Sequence, residues 1–518
     1  MTKNNYFCWV CGLSVPSNFF AVRTLFSLFI FLFCLAPMRG HAKAAYFRYT
    51  LQAKDAYELI INLRLDEAEN ALYQLKVSEP DNLIVYHIED YVDFFKIFIT
   101  EDKALFRKLE KNKYRRLRKI RSGDKKSPYY LYAQAEINLH WALLRIKFGE
   151  YLSAFNEVSD AYQLLKKNQA KFPDFMANKK SLGILHSIVG SVPDKYRWGV
   201  KLIGKIDGSI KQGKKEIESV LAYAETHDDF IFREETEIMY AFLLLHLSNQ
   251  GDKAWEVISK SKMDPVKNPL GCFVQANIAL HAGKSKEAEA ILRKRPYGKE
   301  FFDLPFLHFM NGLTKLYRLD AGAEADFLKF IKYQKGQSYI KEAYQKLAWN
   351  ALIHGEESQY KHYMSLVKTK GNKRQEGDQA AYDDAMRGEK PDVRLLKARM
   401  LFDGGYYRQA HDLLRQYSVD DFAYADLRLE YLYRAARVSQ KLGWYTEAIV
   451  HYLEVLDKKG DTDSYYPCNA ALQIGIIYEQ LGNIPKAREY FKKTLSIKPN
   501  EYRIALHGKA KAGLNRTK

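Results

Sequence analysis

The last hundred residues repeat with a fixed phase, and this period constrains the fold more than any other feature of the chain. Ala410, Ala448 and Ala487 each follow a glycine by five residues, and each is followed by a large apolar residue four positions later. Successive alanines are 38 and 39 residues apart. A period of about 20–50 residues is typical of a solenoid, in which each repeat is one supersecondary unit.

The spacing inside one unit indicates two helices. Ile474 and Tyr478 are four positions apart on the first predicted helix, and Ala487, Phe491 and Leu495 follow the same interval on the second. Such spacing forms one apolar stripe on each helix. A hairpin of this kind buries its apolar face only against stacked neighbours. The sequence therefore predicts an array of helical hairpins.

At these residues the chain resembles the tetratricopeptide repeat family. The matching positions are Ile474, Gly475, Tyr478, Gly482, Ala487, Phe491 and Pro499. Thr494 departs from the family pattern, which has alanine at that position. Weaker copies surround Ala68, Ala154 and Ala288. The resemblance implies an all-α fold, an α-α superhelix that acts as a scaffold.

The repeat pattern extends over residues 45–518 and predicts about eleven hairpins and no strands. The hairpins are predicted at 46–80, 82–122, 129–173, 175–222, 229–262, 268–296, 302–335, 338–370, 391–417, 422–459 and 465–499. A polar helix at 501–516 is expected to cap the array. We expect an N-terminal array over 45–370 and a C-terminal array over 391–518, with a linker or a solvated helix at 371–390 between them.

Residues 1–44 are predicted to be a signal peptide. They carry Lys3 and Arg23 before an unbroken apolar run at 25–37, and no acidic side chain. Ala42-Lys43-Ala44 comes next as a small-x-small cleavage pattern. Thirteen apolar residues are too few to span about 30 Å of hydrocarbon as a helix. The alternative is an uncleaved anchor that extends back to Phe19.

The cysteines do not predict a redox site. Cys8 and Cys11 have the Cys-x-x-Cys spacing of a redox pair, but they lie in the predicted leader with no strand before them. Cys272 and Cys468 lie far apart on predicted helices. We expect both to be small buried hydrophobic residues.

A second segment, residues 189–221, does not fit a plain repeat. Pro193 stops one helix, and Gly204, Gly208 and Gly213 interrupt the rest of the segment. This pattern resembles the eukaryotic tetratricopeptide repeat protein 39 family, and residues 191–213 and 398–410 also resemble exported repeat proteins of Gram-negative bacteria. The resemblance implies an all-helical superhelix without enzyme activity. Together with the leader, it predicts a protein of the periplasm, or of the inner face of the outer membrane.

No motif predicts catalysis, a cofactor or a metal. The sequence from Gly208 to Lys214 fits Gly-x4-Gly-Lys, but Lys215 stands where a phosphate-binding loop has serine or threonine. No His-Glu-x-x-His pattern occurs. We interpret these glycines as turn residues between helices. An enzyme with an unrecognised site remains the alternative to a non-catalytic scaffold.

The charge balance is strongly basic, with a formal net charge of +19. One run at 107–126 dominates it. The clustered cations there are Arg115, Arg116, Arg118, Lys119 and Arg121. An exported protein meets anionic lipid head groups and glycans rather than nucleic acid, so the run indicates either contact with an anionic membrane surface or a solvated helix end. Docking on a membrane through this helix is the second function that we consider.

The leading hypothesis is a scaffold that binds a protein or peptide in its groove. In the tetratricopeptide family the first helix of each unit lines the concave face. Carrying those positions over to the last three units gives the candidate partner-binding residues Arg399, Tyr433, Arg437, Gln440, Lys441 and Asn469. Arginine and tyrosine are side chains that often dominate binding surfaces.

Overall fold

The computed structural model describes residues 45–191, 206–248, 250–460, 464–500 and 502–517. Across these ranges it contains 24 α-helices, and the one β-type pairing is an isolated bridge between Tyr46 and Asn82. The predicted all-α class is therefore confirmed. Within the same ranges, no helix is both long enough and apolar enough to cross a membrane. The predicted signal peptide lies outside the described residues.

The first half of the array begins with an extended segment at 45–50 and continues as helices. These are α1 (Leu51–Ile61), α2 (Leu65–Ser78), α3 (Ile84–Thr100), α4 (Lys103–Arg121), α5 (Tyr129–Phe148), α6 (Tyr151–Lys171), α7 (Met176–Ser191), α8 (Ile210–Thr226), α9 (Arg233–Phe242), α10 (Gly251–Ser259), α11 (Pro269–His281) and α12 (Ser285–Arg293). Helix α9 runs on into a short π-helix at Leu243–Leu247.

The second half continues the same pattern. Its helices are α13 (Phe306–Tyr317), α14 (Ala323–Tyr333), α15 (Ile340–Ile353), α16 (Glu357–Thr369), α17 (Glu376–Arg387), α18 (Val393–Asp403), α19 (Tyr407–Leu414), α20 (Ala425–Lys441), α21 (Tyr445–Asp457), α22 (Tyr466–Gln480), α23 (Ile484–Ser496) and α24 (Arg503–Arg516). A 3-10 turn lies at Val419–Asp421.

Successive helices pair as hairpins, eleven in the described ranges, and these correspond to the eleven predicted from the sequence. The last hairpin shows how the sequence produces the pairing. Gly482 has φ +75°, so it ends α22 in a left-handed turn that L side chains rarely adopt. A Cβ on Gly475 would lie 2.7 Å from the Phe491 ring, so glycine there permits the two helices to approach closely. Ala487 and Phe491 are fully buried in the resulting contact.

Residues 371–390, predicted to be a linker or a solvated helix, contain helix α17. Its polar side is exposed, but Ala381 and Ala385 are buried against Val367 of α16. The carboxylate of Asp378 accepts hydrogen bonds from the backbone N–H groups of Tyr339 and Glu342, at 2.6 and 3.0 Å. This helix therefore packs as an integral part of the array.

The glycines of the 189–221 segment permit close helix packing, which differs from the turn role expected for Gly213. Gly213 lies inside α8, and a Cβ there would come within 2.1 Å of the Gly183 carbonyl oxygen on α7. The Gly208-to-Lys215 sequence therefore lies at the start of a helix packed tightly on its neighbour, with Ser209 as the N-cap. Gly204 lies outside the described residues.

The two cysteines of the described chain are both free and buried, as expected. Burial raises the pKa of the Cys272 thiol to about 12 and that of Cys468 to about 11. Both thiols therefore stay protonated at neutral pH, and they serve as core residues.

Hairpins that are far apart in the sequence contact one another. The backbone N–H of Phe302 donates to the Leu63 carbonyl at 2.7 Å. The Ser338 N–H donates to the Glu101 carboxylate, 237 positions earlier, at 3.2 Å. The chain therefore winds back against its own earlier hairpins, as an α-α superhelix does.

Candidate functional site

Helix α9 packs against the earlier hairpins of the array through one carboxylate and one aromatic ring. Glu235, from α9, accepts hydrogen bonds from the hydroxyls of Tyr57 on α1 and Tyr91 on α3, at 3.0 and 3.2 Å. The same carboxylate pairs with Lys180 on α7 at 2.7 Å. Phe232 is buried among the same helices. Helix α9 thus packs against the first helices of three earlier hairpins, α1, α3 and α7.

The C-terminal hairpins keep a cavity of about 150 Å³ on their first helices. Its wall comes from α18 and α20 and from the turn before α22. The lining residues that carry its chemistry are Arg399, Phe402, Asp403, Tyr433, Arg434, Arg437 and Tyr465. Three of the six predicted partner-binding residues, Arg399, Tyr433 and Arg437, are therefore brought together around one space.

The guanidinium groups of Arg399, Arg434 and Arg437 differ in how closely a carboxylate pairs with them. Arg434 pairs closely with Glu430, one helical turn earlier. Arg399 has only a 3.7 Å contact with Asp403, and the side chains of both are about 40% exposed. Arg437 donates to the Tyr433 hydroxyl at 2.8 Å and has no carboxylate partner within the described residues. The cavity wall therefore carries cationic groups with spare hydrogen-bonding capacity.

Aromatic rings hold two of these arginines in place. The guanidinium carbon of Arg437 lies 4.6 Å from the centre of the Phe402 ring, and that of Arg399 lies 4.7 Å from the centre of the Trp349 ring. Stacking of this kind fixes the plane of a guanidinium and leaves its N–H groups free to bind. Both arginines are therefore oriented before any ligand arrives.

Two lysines near the cavity arginines have lowered pKa values, mainly because they are buried. Burial lowers the pKa of Lys441; Asp252 opposes that shift, and Arg437 lowers the pKa further. At Lys346 burial again lowers the pKa, Glu342 opposes it, and Arg399 adds to it. Burial is therefore the main cause of both shifts, and at each lysine the nearby carboxylate has a larger effect on the pKa than the cavity arginine.

The remaining predicted partner-binding residues lie beside the cavity and are bonded to their neighbours. Asn469 donates to the Tyr433 hydroxyl at 2.7 Å, and Gln440 accepts from the Tyr452 hydroxyl at 2.7 Å. Tyr433 is only 3% exposed. These side chains build the groove wall, whereas Lys441 is exposed at its edge.

Arg434 and Tyr465 also line the cavity, although no sequence pattern predicted them there. Arg434 directly follows the groove-facing Tyr433, so it falls between the positions carried over from the family. Tyr465 belongs to the turn before α22, which helical periodicity does not describe. The adjacent Tyr465 and Tyr466 are the sequence feature that could have indicated this lining position, since paired tyrosines are unusual in a polar turn.

The basic run at 107–126 divides into two faces on α4. Arg116 is 1% exposed and pairs with Asp90 at 3.1 Å, Asp93 at 2.7 Å and Glu89 at 3.1 Å. It is therefore unavailable to a membrane surface. The other four predicted cations, Arg115, Arg118, Lys119 and Arg121, are exposed. Within the described ranges, no group of three or more His, Cys, Asp or Glu side chains is placed to hold a metal ion.

Comparison with known proteins supports the repeat assignment at the C-terminus. Residues 469–501 match the family model of the tetratricopeptide repeat. The crystal structure of the yeast Tom70 is similar at 13% identity, over 90% of this chain and 95% of that chain, with a TM-score of 0.22. A TM-score this low carries no information about the arrangement of the hairpins. No curated protein sequence matches the chain.

The fold and the matched unit define the class. The described residues form a helical-repeat array of hairpins that stack along the sequence, and one stretch of it, residues 469–501, matches the tetratricopeptide repeat.

Proposed function

We propose that the chain is a non-catalytic scaffold whose C-terminal groove binds an acidic, extended segment of a protein partner. One observation carries the proposal: three arginines converge on a single concave cavity, and Arg437 among them has no carboxylate partner in the described chain. A carboxylate from a partner would complete its hydrogen bonds with charge-assisted geometry.

The size of the cavity favours a side chain over a small-molecule ligand. Pockets for small molecules and cofactors enclose about 300–1,000 Å³. This cavity encloses about 150 Å³, which is room for one acidic side chain of a longer segment. Helical-repeat superhelices use extended concave surfaces of this kind for binding.

Peptide binding tests the proposal directly. A fluorescent ten-residue peptide with alternating Glu and Ala is titrated against the full chain and compared with its Gln analogue. The acidic peptide is expected to bind, and the Gln peptide to bind at least about tenfold more weakly, because charged hydrogen bonds are lost. Equal binding of the two peptides would overturn the proposal.

Matched variants locate the peptide. Arg399→Gln with Arg437→Gln is expected to weaken acidic-peptide binding at least about tenfold, since hot-spot arginines contribute more than about 1 kcal/mol each. Tyr433 is left intact because it is buried, and its truncation would disturb the fold. Arg408→Gln with Arg415→Gln is the control, because both arginines are exposed and neither lines the cavity.

We also propose that the partner lies in the cell envelope. The support is the leader pattern of residues 1–44 and the resemblance of residues 191–213 and 398–410 to exported repeat proteins of Gram-negative bacteria. Fusing residues 1–44 to a reporter enzyme that is active only after export tests this. Reporter activity is expected. A fusion that stays inactive would place the scaffold inside the cell.

A second candidate function is docking on an anionic membrane, favoured by the exposed face of α4. Its exposed cations are Lys108, Lys111, Arg115, Arg118 and Lys119, and no ion pair within the described chain neutralises them. On an ideal helix these positions fall within an arc of about 100° and span about 17 Å. Such a stripe attracts anionic lipid at about 1 kcal/mol for each cation near the surface.

Vesicle binding tests this second function. The chain is expected to sediment with phosphatidylglycerol vesicles at low salt and to be released by salt. Reversing Arg115, Arg118 and Lys119 to Glu is expected to abolish sedimentation. Reversing Arg293, Lys294 and Lys299, which are exposed outside α4, removes equal charge and is expected to have little effect. Equal losses for the two variants would mean that net charge, not the stripe, attracts the vesicles.

A further inference from the structure

A second, larger cavity of about 380 Å³ opens where four segments of the N-terminal hairpins meet. Seven aromatic residues line it, an unusual density for a surface cavity. The rings that carry the argument are Tyr49, Tyr129, Phe175, Tyr223, Phe230 and Phe232. Its volume falls in the range of small-molecule sites, which are mostly apolar with a few placed polar groups.

The rings form one continuous cluster, so the cavity wall is rigid. The centroids of Tyr129 and Phe175 are 5.0 Å apart, and those of Tyr49 and Tyr129 are 5.5 Å apart. Tyr223 and Phe230 meet edge to face at 5.7 Å. His227 stacks on Tyr223 at 3.7 Å, so one face of that ring is covered and its orientation is fixed.

Four charged side chains also line the cavity, and none of them has an ion pair within the described residues. Arg48 and Lys54 come from a single segment around the start of α1. Asp174 and Asp229 come from the turns before α7 and α9. The cations and the carboxylates thus reach the cavity from different segments, and their charges sum to zero.

The hydroxyls of Tyr129 and Tyr223 have no hydrogen-bond partner in the described chain. Burial raises the pKa of Tyr129 to about 12, and nearby Asp229 and Tyr223 contribute to the shift. The Asp229 carboxylate therefore lies within electrostatic reach of this pair of rings. Aromatic faces beside a carboxylate are the surroundings that alkylated ammonium groups prefer.

We propose that this cavity binds a zwitterion of the phosphocholine class. Its trimethylammonium group would pack against Tyr129 and Tyr223 beside Asp229, and its phosphate would face Arg48 and Lys54. A ligand that carries only one sign of charge would be attracted by two of the four charged side chains and repelled by the other two. A zwitterion matches both pairs at once, which is why its class is preferred over a simple cation or anion.

Calorimetry with free phosphocholine tests the proposal on the full chain. Phosphocholine is expected to bind, and choline and inorganic phosphate are each expected to bind at least about tenfold more weakly, since each lacks one charge. Phosphatidylcholine vesicles distinguish between the two sources of a phosphocholine group. Co-sedimentation of the chain with the vesicles indicates a lipid head group, and binding of free phosphocholine alone indicates a soluble zwitterion. Binding of neither would overturn the proposal.

Matched variants assign the binding to this cavity. Asp229→Asn and Arg48→Gln, each changing an exposed residue, are expected to weaken phosphocholine binding at least about fivefold. Asp228→Asn removes the same charge one position away, and Asp228 does not line the cavity. This control is expected to bind as the wild type does. Equal affinity in Asp229→Asn and Asp228→Asn would show that phosphocholine binds elsewhere.

Discussion

The ammonium nitrogen of Lys180 lies 2.7 Å from Oε1 of Glu235, and it is fully closed to solvent. The two residues are 55 positions apart and belong to α7 and α9. Glu136 is the second carboxylate on Lys180, at 3.0 Å. This buried group ties α9 to the earlier hairpins around it.

Removal of the central cation should therefore destabilise the N-terminal hairpins. Lys180→Met leaves Glu136 and Glu235 without their counter-ion, and breaking a buried pair in this way costs about 3–5 kcal/mol. The urea midpoint of unfolding, followed by circular dichroism, should fall markedly. Lys260→Met is the control, because Lys260 and Glu256 form an exposed pair, and such pairs contribute about 0–1 kcal/mol. Similar midpoints for the two variants would contradict the account.

The buried ion cluster of Lys180, Glu136 and Glu235 also predicts that the stability of the fold depends on pH in the acidic range. Burial alone raises the pKa of Glu136, but Lys180, His140 and the Ser181 hydroxyl outweigh burial and lower it to about 2. The folded pKa is thus below the unfolded value of about 4.3. The stabilisation that Glu136 contributes is complete above its unfolded pKa, and it is lost as the pH falls toward its folded pKa.

Acid unfolding of Glu136→Gln measures that contribution. Between about pH 4.3 and pH 2 the free energy of unfolding of the wild type should fall more steeply than that of the variant, because Gln cannot titrate. Parallel pH profiles over that interval would show that Glu136 is not held ionised by its neighbours.

Two glycine-to-alanine substitutions should have opposite effects on stability. At Gly213 the new Cβ would lie 2.1 Å from the Gly183 carbonyl oxygen, so α7 and α8 must move apart, at a cost of about 1–3 kcal/mol. At Gly508, inside α24, nothing lies within 4 Å, and alanine should stabilise the helix by up to about 1 kcal/mol. Thermal midpoints check both signs. A neutral Gly213→Ala would show that the two helices do not meet this closely.

Ala487→Arg should unfold the last hairpin. Ala487 is fully buried beside Gly475 and Phe491, so arginine introduces both bulk and an unpaired charge. Overpacking alone costs about 1–3 kcal/mol, and the buried charge adds to that. Hydrogen exchange of residues 466–496 should accelerate strongly. Glu489→Arg, at an exposed position of the same helix, is the control and should leave the exchange unchanged.

The fold could be predicted from the sequence because its signals are local. Helical spacing predicted the hairpins, and a glycine five residues before the packed alanine marked the turn in five of them, those of Ala154, Ala288, Ala410, Ala448 and Ala487. Leu63 shows where local signals end: it adopts the left-handed turn, at φ 54°, that glycine takes in other hairpins. There the packing of the fully buried Leu63 side chain, not the backbone preference, decides the conformation.

The buried charges could be predicted only in part. The burial of Arg116 could have been predicted from the helical phase of α4, because Lys113, Leu117 and Ile120 share its buried face. Its partners Asp90 and Asp93 lie on α3, and no local pattern links them to α4. The positions of Arg399 and Arg437 on the cavity wall followed from the repeat. The hydrogen bonds from Gln440 to Gln473 and from Asn469 to Tyr433 join neighbouring hairpins, and no local pattern predicts them.

Photo-crosslinking in intact cells tests the central claim, that the C-terminal groove holds the partner. Benzoylphenylalanine replaces Phe402, which lines the cavity, or Tyr424, which is 73% exposed and does not line it. A single discrete adduct is expected from position 402, absent from position 424 and lost when Arg399→Gln and Arg437→Gln are added. The same adduct at both positions, or one that survives loss of the two arginines, would contradict the account.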